Sequence, residues 1–350
     1  MLLTSSILMY ITGLSVTAGY HRLYSHTSYK IHPVLEGILL FFATMATQGS
    51  ALRWSFEHRL HHAFVDTDRD PYSIKKGFWY AHFFWLIEKP KEIDPKVVAD
   101  LMKNPLIRFQ HRFYPILMLL TNLLATLVVG WCFGSYLDAF LFSWFTRLFF
   151  LHHFTWFINS LAHTWGARTY CQELSAVDNY VIALLTFGEG YHNYHHTFAN
   201  DYRNGIRWYH FDPTKWLIWT FSKLRLAYNL RKNPRYFIEE KLLLETKQIL
   251  LEKARHLPDD HKATWVEQIT KLSDNVLVKL REVKQLKNHY LGLKEKEEKK
   301  ESLQEARSNM KIMKKEFKRE YGYWMVLTRR VMKLPASLGN AQATPTIVAD

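Results

Sequence analysis

Over its first two thirds the chain alternates long apolar runs with polar, histidine-bearing stretches; its last third changes to a leucine repeat laced with lysine and glutamate. The first apolar run, residues 2–20, is long enough as a helix to cross a hydrocarbon core of ~30 Å. A cleaved signal peptide is the competing reading, but no basic segment precedes the run and no small-residue cleavage site precedes His21. As a single span it would leave the N-terminus on the non-cytoplasmic side. Residues 34–52 are also apolar, yet Glu36, Gln48 and several hydroxyl side chains interrupt them. A buried helix leading into the next polar stretch is expected there, not a span. Residues 106–131 and 136–157 are the strongest membrane segments, and Phe133-Gly134-Ser135 between them predicts a tight hairpin. Asp138 and Arg147, in or near the second segment, must face protein, water or the interface.

Residues 233–334 are nearly free of glycine and follow a helical Leu/Lys/Glu pattern broken at Pro234 and Pro258. Amphipathic helices are predicted over residues 237–256 and 265–319. A solvated helical hairpin or short coiled coil is the plain reading, and a lipid-surface or partner-docking helix the alternative. Residues 335–350 are expected to be a disordered tail.

Charge adds an orientation. The 350 residues carry a formal net charge of +14, with 15% aromatic side chains. A mean hydropathy of −0.20 averages the two unlike regions. Lys75, Lys76, Lys89, Lys91, Lys96, Lys103, Arg108 and Arg112 fall on the side of the predicted spans that also carries the histidines, which the positive-inside bias makes cytoplasmic. Retention at a membrane and attraction to anionic lipid account for the basic excess, and no nucleic-acid partner is expected. The two cysteines, Cys132 and Cys171, form no CxxC motif. Disulfides, cysteine-ligated zinc and iron–sulfur clusters are therefore set aside, and any metal chemistry rests on histidine.

The histidines are grouped. His192, His195 and His196 have HxxHH spacing, which places them on one face of a helix, and His58, His61 and His62 repeat it. His21 and His26 have four residues between them. On a regular α-helix those two point in different directions, so the helix is expected to end or bend there. One histidine in an apolar stretch is usually a core residue; three such boxes in one chain are not explained that way. Eight imidazoles exceed the need of one tetrahedral zinc and suit two adjacent metals with positions left open for oxygen. Iron is the natural redox-active choice, although imidazole also suits zinc and copper. A di-iron centre facing the cytosol could use O₂ and two supplied electrons to attack an unactivated C–H bond in a chain held in a dry tunnel.

The boxes His21-Arg22-Leu23-Tyr24-Ser25-His26, His58-Arg59-Leu60-His61-His62 and Gly188-Glu189-Gly190-Tyr191-His192-Asn193-Tyr194-His195-His196 resemble those of the membrane fatty acyl desaturases, most nearly the Δ9 stearoyl-CoA branch, over roughly residues 12–230. Thr155-Trp156-Phe157-Ile158-Asn159-Ser160-Leu161-Ala162-His163 is similar to that branch's segment leaving the second membrane hairpin. By that resemblance Asn159 holds one iron through a water and His163 is a ninth ligand. The resemblance implies an all-α integral membrane fold, with a cytosolic helical cap over the di-iron centre and the charged helical extension following it. It also implies a bent tunnel that brings the ninth and tenth acyl carbons to the metals. Gln48, Trp54 and Thr155 match the residues that hold the bend, and Gly13 and Met9 match its floor, where a glycine implies room for a long acyl chain. The implied reaction is oxygen-dependent insertion of a cis Δ9 double bond into a saturated long-chain acyl thioester, acyl-CoA first. Electrons would come from an external donor such as cytochrome b5, ferredoxin or a reductase.

Three features depart from the branch. One span, not two, precedes the first box, so either the start is truncated or the topology differs. Phe56 and Glu88 stand where the branch has arginines for the CoA phosphates; Lys89 remains, and Lys75 and Lys76 are placed to compensate. The carrier could then be CoA, acyl-carrier protein or a lipid headgroup. No His-Pro-Gly-Gly haem loop follows the first region, so the donor is a separate protein, which a basic face could dock. Two other readings stand beside this one. A di-iron hydroxylase of acyl chains or alkanes shares the site and the first hydrogen abstraction; the Gln48, Trp54 and Thr155 trio favours desaturation. A non-enzymatic metal binder or transporter would place its ligands inside spans, whereas these boxes lie just past apolar runs. Glu189, Tyr191, Asn193 and Tyr194 are candidates for orienting the ligand rings, with surface or packing roles equally open.

Overall fold

The computed structural model describes residues 1–257 and 259–334, so the expected break at Pro258 and the expected disordered tail lie outside the described residues. It divides into two units, Met1–Lys232 and the residues from Asn233 onward. In the first, seven helices matter for the site: α1 (Leu2–Ser25), α2 (Pro33–Met45), α3 (Ala51–Phe64), α4 (Tyr114–Phe133), α5 (Arg147–Asn159), α6 (His192–Thr197) and α7 (Pro213–Lys223). Among the described residues α1 and α4 are long and apolar enough to cross a membrane. Ile7, Leu120, Leu124, Leu127 and Trp131 point outward from them, exposed over roughly half of their surface or more. An exterior of large apolar side chains on this scale is unfavourable in water and suits lipid. The chain is a membrane protein.

Two expected elements of this unit are redrawn. The run over residues 34–52 is two elements: α2 stops at Met45, the chain turns through Gly49 at φ +88, and Ser50 starts α3 by accepting from the Arg53 N–H at 3.2 Å. Nor is α2 a buried helix, since Val34, Ile38 and Phe41 are exposed. Its polar interruption, Glu36, is satisfied instead by the Tyr24 hydroxyl at 3.2 Å and Asn104 Nδ2 at 2.7 Å. The expected span over 106–131 is broken at Phe113. An amphipathic helix, Pro105–Arg112, precedes α4, and Pro115 sits in the first turn of α4, where its missing N–H costs nothing. The hairpin turn is as expected: α4 ends on Gly134 at φ +71, and residues 136–159 run as one helix, π-wound at Phe140–Thr146, into α5.

Arg147 is buried at the start of α5. Its guanidinium donates to the Met45 carbonyl at 3.2 and 3.3 Å, to the Ser143 carbonyl at 2.6 Å and to Asn122 Oδ1. A cation is thus stabilised against the carbonyl end of α2, which it ties to α4. Asp138 is exposed at the hairpin turn. One small element departs from all-α: Lys30–Ile31 pairs antiparallel with Ala227–Tyr228, tying the segment after the first box to the end of the unit.

Among its described residues the second unit has three helices, α8 (Arg235–Arg255), α9 (Asp259–Glu295) and α10 (Lys300–Lys333), around a core that includes Leu243, Leu250, Ile269, Val276, Trp324 and Val331. The single helix expected over 265–319 is interrupted at residues 296–299, where Glu297 has φ +51. That stretch is charged throughout and offers no apolar anchor, so the chain reverses and α10 buries its apolar face.

Candidate metal centre and its cavity

Each histidine box converges for a different local reason. In α1 the segment Val16–Ser25 is π-wound, and the His26 N–H donates five residues back to the His21 carbonyl at 3.1 Å. A five-residue repeat puts His21 and His26 on one side of the helix, where an α-turn would separate them. The helix does end after Ser25, but its winding, not a bend, aligns the pair. The second box sits on regular α3 turns. The third rides on the short α6, which enters from an extended segment: Gly190 lies so close to Ala183 that a Cβ would be 2.2 Å from its nitrogen, and Gly188, at φ +98, crowds Asp212. Only glycines let that strand pass.

Nine histidines resolve into two groups whose ligand atoms lie within 4.8 Å of one another: His21, His26, His58, His62 and His195, and His61, His163, His192 and His196. In the first, Nε2 atoms face each other at 3.0 Å (His21–His195), 2.8 Å (His26–His58) and 3.0 Å (His62–His195). In the second, His196 Nε2 lies 3.2 Å from His61 Nε2 and 3.1 Å from His192 Nε2. Two imidazole nitrogens ~2.1 Å from one ion and about 90° apart would stand ~3.0 Å from each other. Ring hydrogens cannot satisfy so many facing nitrogens, since a neutral imidazole has one N–H. His163 Nε2 is buried without a protein partner. The donor set therefore fits two cations held by imidazole.

Outer partners orient these rings. His61 Nδ1 lies 2.9 Å from Asp70 Oδ1, and His21 Nδ1 lies 2.9 Å from Glu189 Oε2. His163 Nδ1 contacts Ser175 Oγ at 2.6 Å, and that hydroxyl reaches Asp66 Oδ1 at 2.5 Å. With the hydroxyl hydrogen given to the carboxylate, His163 Nδ1 is the donor and its Nε2 lone pair is free for an ion. Glu189 also accepts from Arg22 at 2.8 Å and from Asn204 at 2.6 Å. Burial alone would raise its carboxyl; its contacts with the His21 ring and the Arg22 guanidinium outweigh that and hold it down at about 2. His58, His62, His163, His192, His195 and His196 lie well below the usual histidine range, first through burial and then through one another. Neutral rings are what a metal requires.

Asn193, Tyr194 and Tyr191 have packing roles. Asn193 accepts from the Tyr170 and Cys171 N–H groups at 2.6 and 3.1 Å and donates to the Cys171 and Ala176 carbonyls. It thereby clamps the loop that carries Ser175. Tyr194 donates to Asp201 at 2.9 Å, and Tyr191 stacks on His210.

A cavity of about 390 Å³ reaches both groups, touching His21 and His58 of one and His61 and His192 of the other. Gln48, Trp54, Thr155, Asn159, Gly13 and Lys89 line it. Gln48 Nε2 donates to Thr155 Oγ1 at 2.8 Å, and Trp54 stacks on His58 with centroids 4.8 Å apart. Met9 does not line it and packs in the neighbouring core instead. Lys75 and Lys76 are exposed on the turn Ile74–Lys76, away from the lining; Lys76 contacts Tyr80 at 3.0 Å. Gly13 leaves no open room: a Cβ there would lie 2.3 Å from the ring of Phe187, which fills the space. Phe187, Asp66, Asp70 and Ser175 were missed by sequence reasoning because they sit in irregular segments with no period to mark them.

The fatty acid desaturase model matches residues 1–232. The chain is 44% identical over 242 residues to the probable acyl-CoA desaturase of Schizosaccharomyces pombe, covering 68% of this chain and 50% of that protein. It is 37% identical over 239 residues to stearoyl-CoA desaturase 5 of Bos taurus, covering 65% and 70%. With sn-1 stearoyl-lipid 9-desaturase of Anabaena variabilis it shares 35% over 228 residues, covering 64% and 82%. It spans about half the length of that Schizosaccharomyces pombe protein and of acyl-CoA desaturase 1 of Saccharomyces cerevisiae. Paired histidine groups below an apolar cavity, in a membrane protein whose whole first unit matches one family, lead to one conclusion: the chain belongs to the fatty acid desaturases.

Proposed function

We propose that this chain is an oxygen-dependent acyl desaturase that introduces a cis Δ9 double bond into a saturated long-chain acyl thioester, with acyl-CoA as the substrate. The observation that carries the reading is the cavity, which meets histidines of both groups beside the Gln48–Thr155 bridge. Relatives named as acyl-CoA and stearoyl-CoA desaturases support it. Residues 1–232 would form the desaturase domain and residues 233–334 an accessory helical unit.

His21, His26, His58, His62 and His195 would hold one iron; His61, His163, His192 and His196, with Asn159 through a water, would hold the other. Bound iron would supply the activation of O₂, with electrons from a separate donor such as cytochrome b5, ferredoxin or a reductase. The chain's own residues position the substrate. Gly13, Val16, Trp156, Ile158 and Phe187 offer an apolar bed for the acyl chain. The Gln48–Thr155 bridge and the Trp54 ring fix where the acyl chain bends past the histidines. The exposed Lys89 and Lys91 mark the solvent end, where a phosphorylated carrier would sit, and the positive-inside bias places that end in the cytoplasm of a multi-pass protein.

The test is a lipid profile. The chain is expressed with an electron donor in a host lacking its own desaturase, and total fatty acids are analysed with double-bond location. New Δ9 monoenes are expected, and they disappear with His195→Ala together with bound iron. Hydroxylated chains would move the reading to a hydroxylase. Iron-loaded protein that leaves the profile unchanged would overturn it.

A further inference from the structure

The second unit carries a surface that the desaturase reading leaves unused. On α10 the side chains of Arg307, Lys311, Lys314, Lys318, Arg329 and Lys333 are all exposed. At about 100° per residue they fall within an arc of about 100°. Between Arg307 and Lys333 the helix has two acidic residues, Glu316 and Glu320, and both lie off this arc; Glu316 pairs with Lys279 of α9 at 3.0 Å. None of the six cations is ion-paired among the described residues, whereas α8 and α9 pair many of theirs: Lys241 with Glu245, Lys247 with Asp274 and Lys279 with Glu282. The opposite face is committed to the bundle through Trp324, Leu327 and Val331. Val326, exposed at 49%, lies about 20° beyond the edge of the cationic arc, and Ile312, exposed at 56%, about 60° beyond it on the same side.

From these features we infer that α10 binds the headgroups of an anionic lipid surface. The stripe runs ~39 Å at 1.5 Å per residue. A straight row of unpaired cations of that length, with exposed aliphatic side chains to one side, matches a planar sheet of negative charge. The first unit is embedded in a membrane, so a lipid surface is a partner that the fused chain always meets. The unpaired row repels itself when nothing negative faces it, and a planar anionic surface relieves that repulsion along its full length. The inference concerns the second unit and stands independently of the reaction catalysed by the first.

The full chain, reconstituted in nanodiscs of phosphatidylcholine alone or with 30% phosphatidylserine, tests it. A fluorophore on Ser308→Cys, in protein carrying Cys132→Ser and Cys171→Ser, reports energy transfer to headgroup-labelled lipid. Transfer at least twofold higher in the anionic discs is expected, lost in 0.5 M NaCl and in the variant Lys311→Gln/Lys314→Gln/Lys318→Gln, but retained when the same lysines are changed to arginine. Equal transfer in both discs, or a difference that survives both salt and the glutamine variant, overturns the inference. If transfer is equal and amine labelling of those lysines instead falls on adding an acidic soluble redox protein, the stripe is a protein-docking face. Acyl-chain analysis of the glutamine variant separates this from the function above, because loss of lipid contact leaves the histidine groups intact.

Discussion

A single buried imidazole shows how the site is built from groups that carry no sequence period. His163 is directed by Ser175, which is directed by Asp66, and the outcome is an Nε2 lone pair facing His61, His192 and His196. Ser175→Ala removes the acceptor that the His163 Nδ1–H has among the described residues. The second group is then expected to bind metal about 10- to 100-fold more weakly, as loss of an outer-shell partner generally does. Competition with a chelator of known affinity measures this, and the same protein's circular dichroism should be unchanged. Undiminished affinity would show that packing alone holds the ring. The box histidines were legible because HxxHH maps onto one helix face. His163 came only through family resemblance, since a lone histidine twelve positions from a serine has no pattern of its own.

Among elements, α1 does two jobs. Its π-wound end aligns His21 with His26, and its middle lies against Phe187, where Gly13 allows the ring to seat. The sequence suggested that Gly13 leaves space; the fold gives that space to an aromatic ring that also meets Tyr10 edge-on at 5.1 Å. Gly13→Ala must push a buried ring that has little room to yield, at a cost of about 1–3 kcal/mol for overpacking. A lower melting temperature is expected, with products shifted toward shorter acyl chains because the displaced ring enters the cavity. If both melting temperature and product lengths stay as in the parent, the ring swings clear and does not bound the cavity.

Across the whole molecule, burial and mutual proximity depress most of the clustered histidines, so each group gathers nitrogen lone pairs that a shared cation would reconcile. A metal that binds the folded arrangement more tightly than the open chain would, at a thousandfold excess over Kd, add up to ~4 kcal/mol. Chelation is therefore expected to speed amide hydrogen exchange at least tenfold in α3 and α6. The second unit, with its own core of Leu243, Leu250 and Trp324, should be unaffected. Equal acceleration in both units would show that the extension depends on the metal centre for its stability.

The sequence by itself determined the membrane character and the two HxxHH boxes. Each of these is written in runs or repeats that hydropathy and helical geometry convert directly into faces and lengths. Tertiary structure decided the rest. It broke residues 34–52 at Gly49 and residues 106–131 at Phe113, because local turn chemistry there overrides continuous hydropathy. It wound the end of α1 as a π-helix, which no composition rule announces. It also sorted nine histidines into five and four, a partition that keeps the first box whole, splits the second and third between the groups and places His163 with the four. That sorting depends on which rings meet across α1, α3 and α6, and distances between elements far apart in the chain are set by packing alone.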